Sequence, residues 1–332
     1  MQDLHLLYTS RYDTLAQDTL RLNPDQVRYW WQVIEDRYCE VHRRYHTLEH
    51  LAFLLRKLED ETARLKGGIL LTSQDLRDLQ LAVFFHDLVY DPARQDNEEV
   101  SARIFESDFY ADVQKVQFQR NAQLLEDKSV RRVARWIRET AGHKHDRLLA
   151  DKDLVGSLFL DLDLSILALP DSEGYERYTK SVAFEYTYSV LSPDCFTLGR
   201  LNFLSSLLPE EPEEDPHRVD STSTAPDLKS NKKASLQLFG PLHEDWESLA
   251  VANCEWERDK LKHEIRTMSA LRRSRAKAEL FYVQRVAPKI STMFQHPTTD
   301  TAALAIVAAG SVLVAGVSIL FLMRKTVLNK QH

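Results

Sequence analysis

Ionisable side chains interrupt apolar stretches at three places in this chain, and these interruptions constrain its fold. They are His46 and His50 in RYHTLEH, His86 and Asp87 in FFHDLVYD, and Asp161 and Asp163 in LFLDLDLSIL. A charge in an apolar core costs free energy unless it is paired or coordinates a metal ion. Because a helical bundle can build a metal site from histidines and carboxylates on separate helices, we expect the three stretches to converge in the core.

Helical periodicity runs through most of the first 208 residues. Asn23 as N-cap and Pro24 at the first helical position predict a helix over NPDQVRYWWQVIEDRYCEV. Apolar spacing predicts a second helix over 47–65, and Thr72 with Asp75 resembles a capping box that opens a third, TSQDLRDLQLAVFFHDLVY. Alternating apolar and polar runs are almost absent, so the predicted fold class is all-α.

His46 and His50 are four residues apart, a spacing that places two side chains on one face of a helix. Such a pair is more often a chance feature of a surface helix when it stands alone. The pair indicates a functional site only if other residues of the chain complete that site around it.

The sequence divides into segments of different composition. Residues 209–235 are rich in proline, acid and small polar residues and cannot bury enough apolar surface to fold, so we expect a disordered loop. Residues 301–323 form an uncharged apolar stretch, long enough as a helix to cross a ~30 Å hydrocarbon core. The predicted organisation is a helical domain over 1–208, the loop, helices over 236–295 that pack back on the domain, a transmembrane helix over 301–323 and a basic tail over 324–332.

This organisation predicts a protein anchored by its C-terminus. The start, MQDLHLLYTSRYD, lacks the apolar run of a secretory signal, so we expect the domain to face the cytosol from the mitochondrial outer membrane or the endoplasmic reticulum. Small residues in the apolar stretch could allow a homodimer through the membrane helix. A net charge of -7 gives no electrostatic case for nucleic-acid binding, and no glycine-rich phosphate loop is present.

The ordered set His50, His86-Asp87 and Asp163 resembles the HD superfamily of metal-dependent phosphohydrolases. The stretches RYHTLEH, FFHDLVYD, DNEEVSA, TAGH and DLDLSIL resemble, more closely, a predicted-phosphohydrolase branch of that superfamily, over roughly residues 29–208. The resemblance implies an HD-type helical bundle that holds a divalent metal ion. The acidic loop and the apolar C-terminal stretch depart from the family's pattern.

A distant resemblance to cyclic-nucleotide phosphodiesterases implies roles for individual residues. Their Tyr-His-x-x-x-His stretch is similar to residues 45–50, and their Asp-Leu-Ser to residues 163–165. The resemblance implies that His46 protonates the leaving oxygen and that Asp87 could bridge a second ion. The implied metal ligands are His50, His86, Asp87 and Asp163, and Asp161 is then a residue that orients a ligand or caps a helix.

Imidazole and carboxylate ligands suit Mn, Fe, Zn or Mg and do not decide among them, nor between one ion and two. A bound divalent ion would lower the pKa of water for attack on phosphorus. His46, with an ordinary pKa near ~6.5, could supply the leaving group's proton, a contribution of about 10²–10⁴ in rate.

Four further residues are candidates for substrate binding. His143 in TAGHKHD matches a histidine of the family branch and could contact the phosphate or a second metal ion. Asn97 and Glu98 could form a polar wall of the pocket, or only the first turn of a helix. Arg44 could steer phosphate, although surface arginines are common. We expect His145 at the surface and a packing role for Tyr175, Tyr178, Glu185 and Tyr186.

The sequence therefore predicts a metal-dependent phosphohydrolase that acts on a nucleotide or another small phosphorylated metabolite. A phosphodiesterase for cyclic or dinucleotide substrates is an alternative within enzymes. A membrane-anchored sensor or scaffold that binds a metal or nucleotide without catalysis is an alternative outside them.

Overall fold

The computed structural model describes residues 9–65, 71–143, 145–189, 191–208 and 238–286. Helices are the only regular elements in these ranges, so the all-α prediction is confirmed for the described part of the chain. The α-helices are α1 (Pro24–Tyr38), α2 (Leu48–Leu65), α3 (Ser73–Phe85), α4 (Asn97–Arg103), α5 (Tyr110–Arg120), α6 (Asp127–Glu139), α7 (Asp146–Ala150), α8 (Leu154–Leu164), α9 (Ser172–Ser189), α10 (Pro193–Leu207), α11 (Glu247–Thr267) and α12 (Ala270–Phe281).

Short helical segments of other types join them. The π-helical segments are Thr14–Thr19, Ile104–Phe109 and Tyr282–Val286, and the 3₁₀ segments are Ser165–Ala168 and Glu244–Trp246. The chain forms two units, Met1–Arg273 and Ser274–His332, and the second is described over 274–286.

Helices α1 and α3 begin where their capping residues predict. The Asn23 side chain accepts hydrogen bonds from the backbone N–H groups of Asp25 and Gln26, and the Gln26 side chain completes a capping box. The Thr72 hydroxyl and the Asp75 carboxylate cap α3 in the same reciprocal way. Both helix starts are confirmed, because each motif satisfies backbone donors that a helix leaves free.

The core of the first unit forms around three helices that contact one another pairwise: α2, α3 and α8. Leu51 and Leu55 of α2, Phe84 and Phe85 of α3, and Phe159 of α8 belong to one buried apolar cluster. Helix α6 packs against α3 and α8 and covers this cluster. The three helices that position the predicted ligand residues are thus held together by apolar burial, the main favourable contribution to folding.

Helix α3 ends earlier than predicted. The sequence pattern extends the helix through His86 and Asp87, but α3 ends at Phe85, and these two residues lie in the turn that follows. The buried guanidinium of Arg43 donates hydrogen bonds to the carbonyls of Asp87 and Leu88, at 2.7 and 3.1 Å. Arg43 therefore satisfies carbonyl groups that would otherwise accept from a continuing helix.

The segment that follows residue 237 returns to the core of the first unit. Buried Asp161 accepts hydrogen bonds from the Gly240 N–H at 2.7 Å and from His243 Nδ1–H at 2.7 Å. A Cβ atom at position 240 would clash with the Ser157 hydroxyl, so this approach requires glycine. Helix α11 then packs along α10.

Two predicted segments, the loop over 209–235 and the transmembrane helix over 301–323, lie outside the described residues. Among the helices that the structure does describe, none combines the length and the apolar character needed to cross a bilayer.

Candidate metal centre

The four predicted ligand residues lie close together in the core of the first unit, between α2, the end of α3 and α8. His50 lies in the first turn of α2, His86 and Asp87 in the turn after α3, and Asp163 near the end of α8. His50 Nε2 lies 3.2 Å from His86 Nε2, and His86 Nε2 lies 3.1 Å from Asp87 Oδ2. The cluster of His50, His86 and Asp87 could hold a metal ion.

Asp163 completes this cluster from the opposite helix. Its Oδ1 lies 3.4 Å from His50 Nε2 and 3.6 Å from His86 Nε2. Two atoms that each lie ~2.1 Å from one ion, at an angle of about 90–110°, are roughly 3.0–3.4 Å apart. Three of the distances, 3.1, 3.2 and 3.4 Å, match that spacing, whereas the 3.6 Å from His86 Nε2 to Asp163 Oδ1 and the 3.9 Å from His50 Nε2 to Asp87 Oδ2 exceed it. The residues fit a divalent cation.

The tautomer of His86 is fixed by its surroundings. His86 Nδ1 lies 2.9 Å from the Val83 carbonyl, which can only accept a hydrogen bond, so Nδ1 carries the proton. In the neutral imidazole, the Nε2 lone pair then points at the cluster, the arrangement typical of metal-ligating histidines.

The electrostatics of the cluster favour a cation. Burial opposes the charged form of Asp87, yet His86 and His46 outweigh burial and hold the pKa of Asp87 well below its ordinary value. Asp163 behaves in the same way beside His86, and its pKa is also far below the usual range. Burial lowers the pKa of His86, but the two carboxylates outweigh it and hold that pKa well above normal. Two ionised carboxylates in one buried site call for compensating positive charge, which protonated His86 supplies without an ion and a divalent ion would supply beside neutral His86.

His46 lies beside the cluster, in the turn before α2, rather than on the helix face shared with His50 that the spacing predicted. Its Nδ1–H donates to Glu185 Oε2 at 2.8 Å, and its Nε2 lies 3.8 Å from Asp87 Oδ2. The Tyr90 ring stacks on the imidazole at a centroid distance of 4.0 Å. Burial lowers the pKa of His46, but Asp87 and Glu185 outweigh it, so the pKa lies above its ordinary value.

Glu185 is the buried partner of the His46 turn that sequence reasoning missed, since we expected it to serve in packing. It is fully buried, and its Oε1 accepts hydrogen bonds from the backbone N–H groups of Arg44, Tyr45 and His46 at 2.6, 2.7 and 2.9 Å. These contacts and the bond to the His46 ring fix the turn and the imidazole together. One signal in the sequence could have revealed this role. Glu185 lies on the same side of α9 as Tyr175, Tyr178 and Val182, and an acid on the apolar side of a helix is seldom buried without a partner.

The accessible edge of the centre carries His46 and His143. Their side chains are 19% and 30% exposed, whereas those of His50 and His86 are 1% and 0% exposed. His143 Nε2 lies 2.8 Å from Asp163 Oδ2, and its backbone adopts the left-handed conformation with φ of 45°. These two imidazoles are therefore the more open of the four histidines around the cluster.

The other predicted binding residues lie around this edge in different settings. Burial raises the pKa of Glu98, and Asp87 adds to that effect, so Glu98 shares the electrostatic field of the cluster. The Asn97 amide is engaged in two hydrogen bonds with the backbone of Asp91 and closes the loop before α4. Arg44 is exposed at the surface, with its guanidinium 5.4 Å from the centroid of the Phe184 ring.

Two further histidines, His145 and His243, are buried around Asp161 of α8, and the burial of His145 contradicts our expectation. His145, which we expected at the surface, is only 6% exposed, and contacts the Ser157 hydroxyl and the Leu238 carbonyl. His243 is fully buried between Asp161 and Glu61. Asp161 thus supports the returning segment rather than the ligand cluster, because the returning chain brings polar groups that must be paired.

The sequence matches no protein-family model and no curated protein.

Proposed function

We propose that this protein is a metal-dependent phosphohydrolase of the HD type that hydrolyses the phosphate ester of a nucleotide or a small phosphorylated metabolite. The observation that carries the proposal is the convergence of His50, His86, Asp87 and Asp163 beside His46, a histidine held by a buried carboxylate. The order of these residues along the chain adds support. The apolar stretch over 301–323 leads us to propose a C-terminal membrane anchor as well.

The four ligand residues would hold the divalent ion. When bound, such an ion lowers the pKa of water towards neutrality and neutralises phosphate oxygens. Because the His46 and His143 side chains are the more open histidines of the centre, we expect the phosphate to approach the cluster past them.

His46 serves as the general acid in this mechanism. Glu185 accepts a hydrogen bond from Nδ1–H, so Nε2 faces Asp87 and the phosphate, and the carboxylates of Asp87 and Glu185 raise the pKa of His46, which favours its proton-bearing form. The oxygen of water forms a bond to phosphorus and gives up one proton to the solvent, the ester P–O bond breaks, and His46 donates its Nε2 proton to the leaving oxygen. Such proton donation typically contributes about 10²–10⁴ in rate.

We assign Asp87 two roles, as a metal ligand and as an acceptor for the attacking water. Its carboxylate contributes to the ligand cluster, and its Oδ2 lies 3.8 Å from His46 Nε2, which places an acceptor for the attacking water beside the general acid. An ionised carboxylate in this position orients water and stabilises the protonated imidazole.

The test uses the full-length protein in detergent, loaded separately with Mn, Fe, Zn and Mg. It is incubated with phosphomonoesters, nucleotides and cyclic nucleotides, and products are separated by chromatography. We expect release of phosphate by the wild type and by His263→Ala, an exposed histidine on α11, and a loss of about 10²–10⁴ in kcat for His46→Ala, with metal content unchanged. Metal binding without product from any substrate would favour the non-catalytic sensor.

A further inference from the structure

Two exposed aromatic rings stand on α9 next to the candidate centre. The Phe184 and Tyr188 side chains are one helical turn apart, and the two residues are 38% and 52% exposed. Their ring centroids are 5.4 Å apart. Two large rings kept in water beside a buried cluster provide a stacking surface for a flat partner.

This aromatic pair lies beside the turn that carries His46, because Phe184 and Glu185 are adjacent in the chain. Glu185 points inward and holds the backbone N–H groups of Arg44 and His46, whereas its neighbour Phe184 points outward. The Arg44 guanidinium lies 5.4 Å from the Phe184 ring centroid. Glu185 therefore places the general acid and the Phe184 ring close to each other.

The neighbouring positions suit a molecule with a phosphate at one end and a ring at the other. Arg44 is two residues from His46, and its guanidinium lies against the Phe184 ring. The general acid and the aromatic pair therefore border the same stretch of surface, as the phosphate and the base belong to one nucleotide. The Arg44 charge complements the phosphate, and its planar guanidinium can also stack on a base.

We propose that Phe184, Tyr188 and Arg44 form a base-stacking platform, so that the substrate is a nucleoside phosphate rather than a sugar phosphate. The proposal rests on the proposed hydrolase function and narrows its substrate class. Stacking on aromatic side chains tolerates every base, because each base has a π face. The platform therefore selects for the presence of a base and discriminates little among bases.

The test compares two substrates that differ only in the base, a nucleoside 5′-monophosphate and ribose 5-phosphate. The full-length, metal-loaded protein carries the double substitution Phe184→Leu and Tyr188→Leu, which keeps apolar bulk and removes the stacking rings. We expect KM for the nucleotide to rise roughly tenfold or more with kcat little changed, and a much smaller effect on ribose 5-phosphate. Phe118→Leu, a ring that is 90% exposed on α5, is the matched control and should change neither.

Equal effects on the two substrates, or no effect on the nucleotide, would overturn the platform. Calorimetric titration of the metal-loaded His46→Ala protein with the same nucleotide measures binding without turnover. Loss of nucleotide affinity on adding the double substitution to this protein supports the platform even if no hydrolysis is detected. Failure of the platform is thus distinguishable from failure of the proposed hydrolase function.

Discussion

Glu185→Gln is the substitution that most sharply tests how the candidate general acid is held. The change is nearly isosteric, but it replaces one oxygen by an NH₂ group. Glu185 Oε2 accepts from His46 Nδ1–H at 2.8 Å and from the Tyr90 hydroxyl at 3.0 Å. An amide nitrogen in that position meets two donors and can accept from neither.

The expected loss of stability follows from the pKa of Glu185. Burial raises that pKa, but His46 and the backbone N–H donors outweigh burial and lower it from 4.5 to about 2. A lowering of that size corresponds to about 3 kcal/mol of stability at neutral pH. Because hydrogen bonds to a charged group contribute about 1.5–3 kcal/mol, the two routes agree in magnitude. We expect the melting temperature to fall by roughly 10 °C.

The effect on catalysis is of a different kind. The amide introduced by Glu185→Gln would favour the neutral tautomer of His46 with an unprotonated Nδ1, and a neutral imidazole is a poor acid at Nε2. We therefore expect kcat to fall by about 10²–10⁴, with the metal content and KM little changed. The assays are phosphate release, elemental analysis and differential scanning fluorimetry on the full-length protein.

Asp78→Asn is the matched control for this experiment. Asp78 is fully buried and paired with Arg77 and Arg132, away from the cluster. It should lose stability while the folded protein keeps its kcat. A Glu185→Gln protein with wild-type kcat would refute the reasoning, since His46 would then not need its carboxylate.

Three other outcomes follow from the same contacts. The difference in melting temperature between wild type and Glu185→Gln should shrink as the pH falls from 5 towards 2. The reason is that the stability contributed by ionised Glu185 is fully present above its unfolded pKa and disappears as the folded protein takes up the proton. A constant difference in thermal melts would contradict this. Arg43→Leu should weaken metal binding at least tenfold in chelator competition, because the carbonyls of the turn that carries His86 and Asp87 lose the guanidinium that donates to them. Unchanged affinity would contradict this capping role. Removal of the metal by a chelator should lower the free energy of unfolding by about 3–4 kcal/mol, if the ion had been present at about 100–1,000 times its Kd, and re-addition of metal should restore it. Identical melting curves with and without metal would argue against a bound ion.

The sequence predicted the all-α fold class and the meeting of His50, His86 and Asp87, because both follow from local signals. Helix starts at Asn23 and Thr72 are set by short-range hydrogen bonds between neighbouring residues. Acids and histidines in apolar stretches are visible in any window of the sequence, and their burial cost requires that they meet partners. For these features a single sequence is sufficient.

The sequence did not predict the residues that act through long-range contacts. Arg43 ends α3 from 44 residues away, and Glu185 holds the His46 turn from 139 residues away. Neither pairing leaves a periodic pattern, because the partner is a backbone group or a ring placed by the tertiary fold. His145 was misplaced for the same reason, since it is buried by the segment that returns at Leu238.

Metal analysis of the purified full-length protein is the most direct measurement of the central claim. After incubation with Mn, Fe, Zn or Mg and removal of free ions, we expect about one or two divalent ions per chain, in the wild type and in His263→Ala. Asp163→Asn, which replaces one ligand oxygen by an amide, should lose most of this metal while it stays folded. A wild-type protein that retains no divalent ion, or an Asp163→Asn protein that binds it as tightly, would contradict a metal centre built from these four residues.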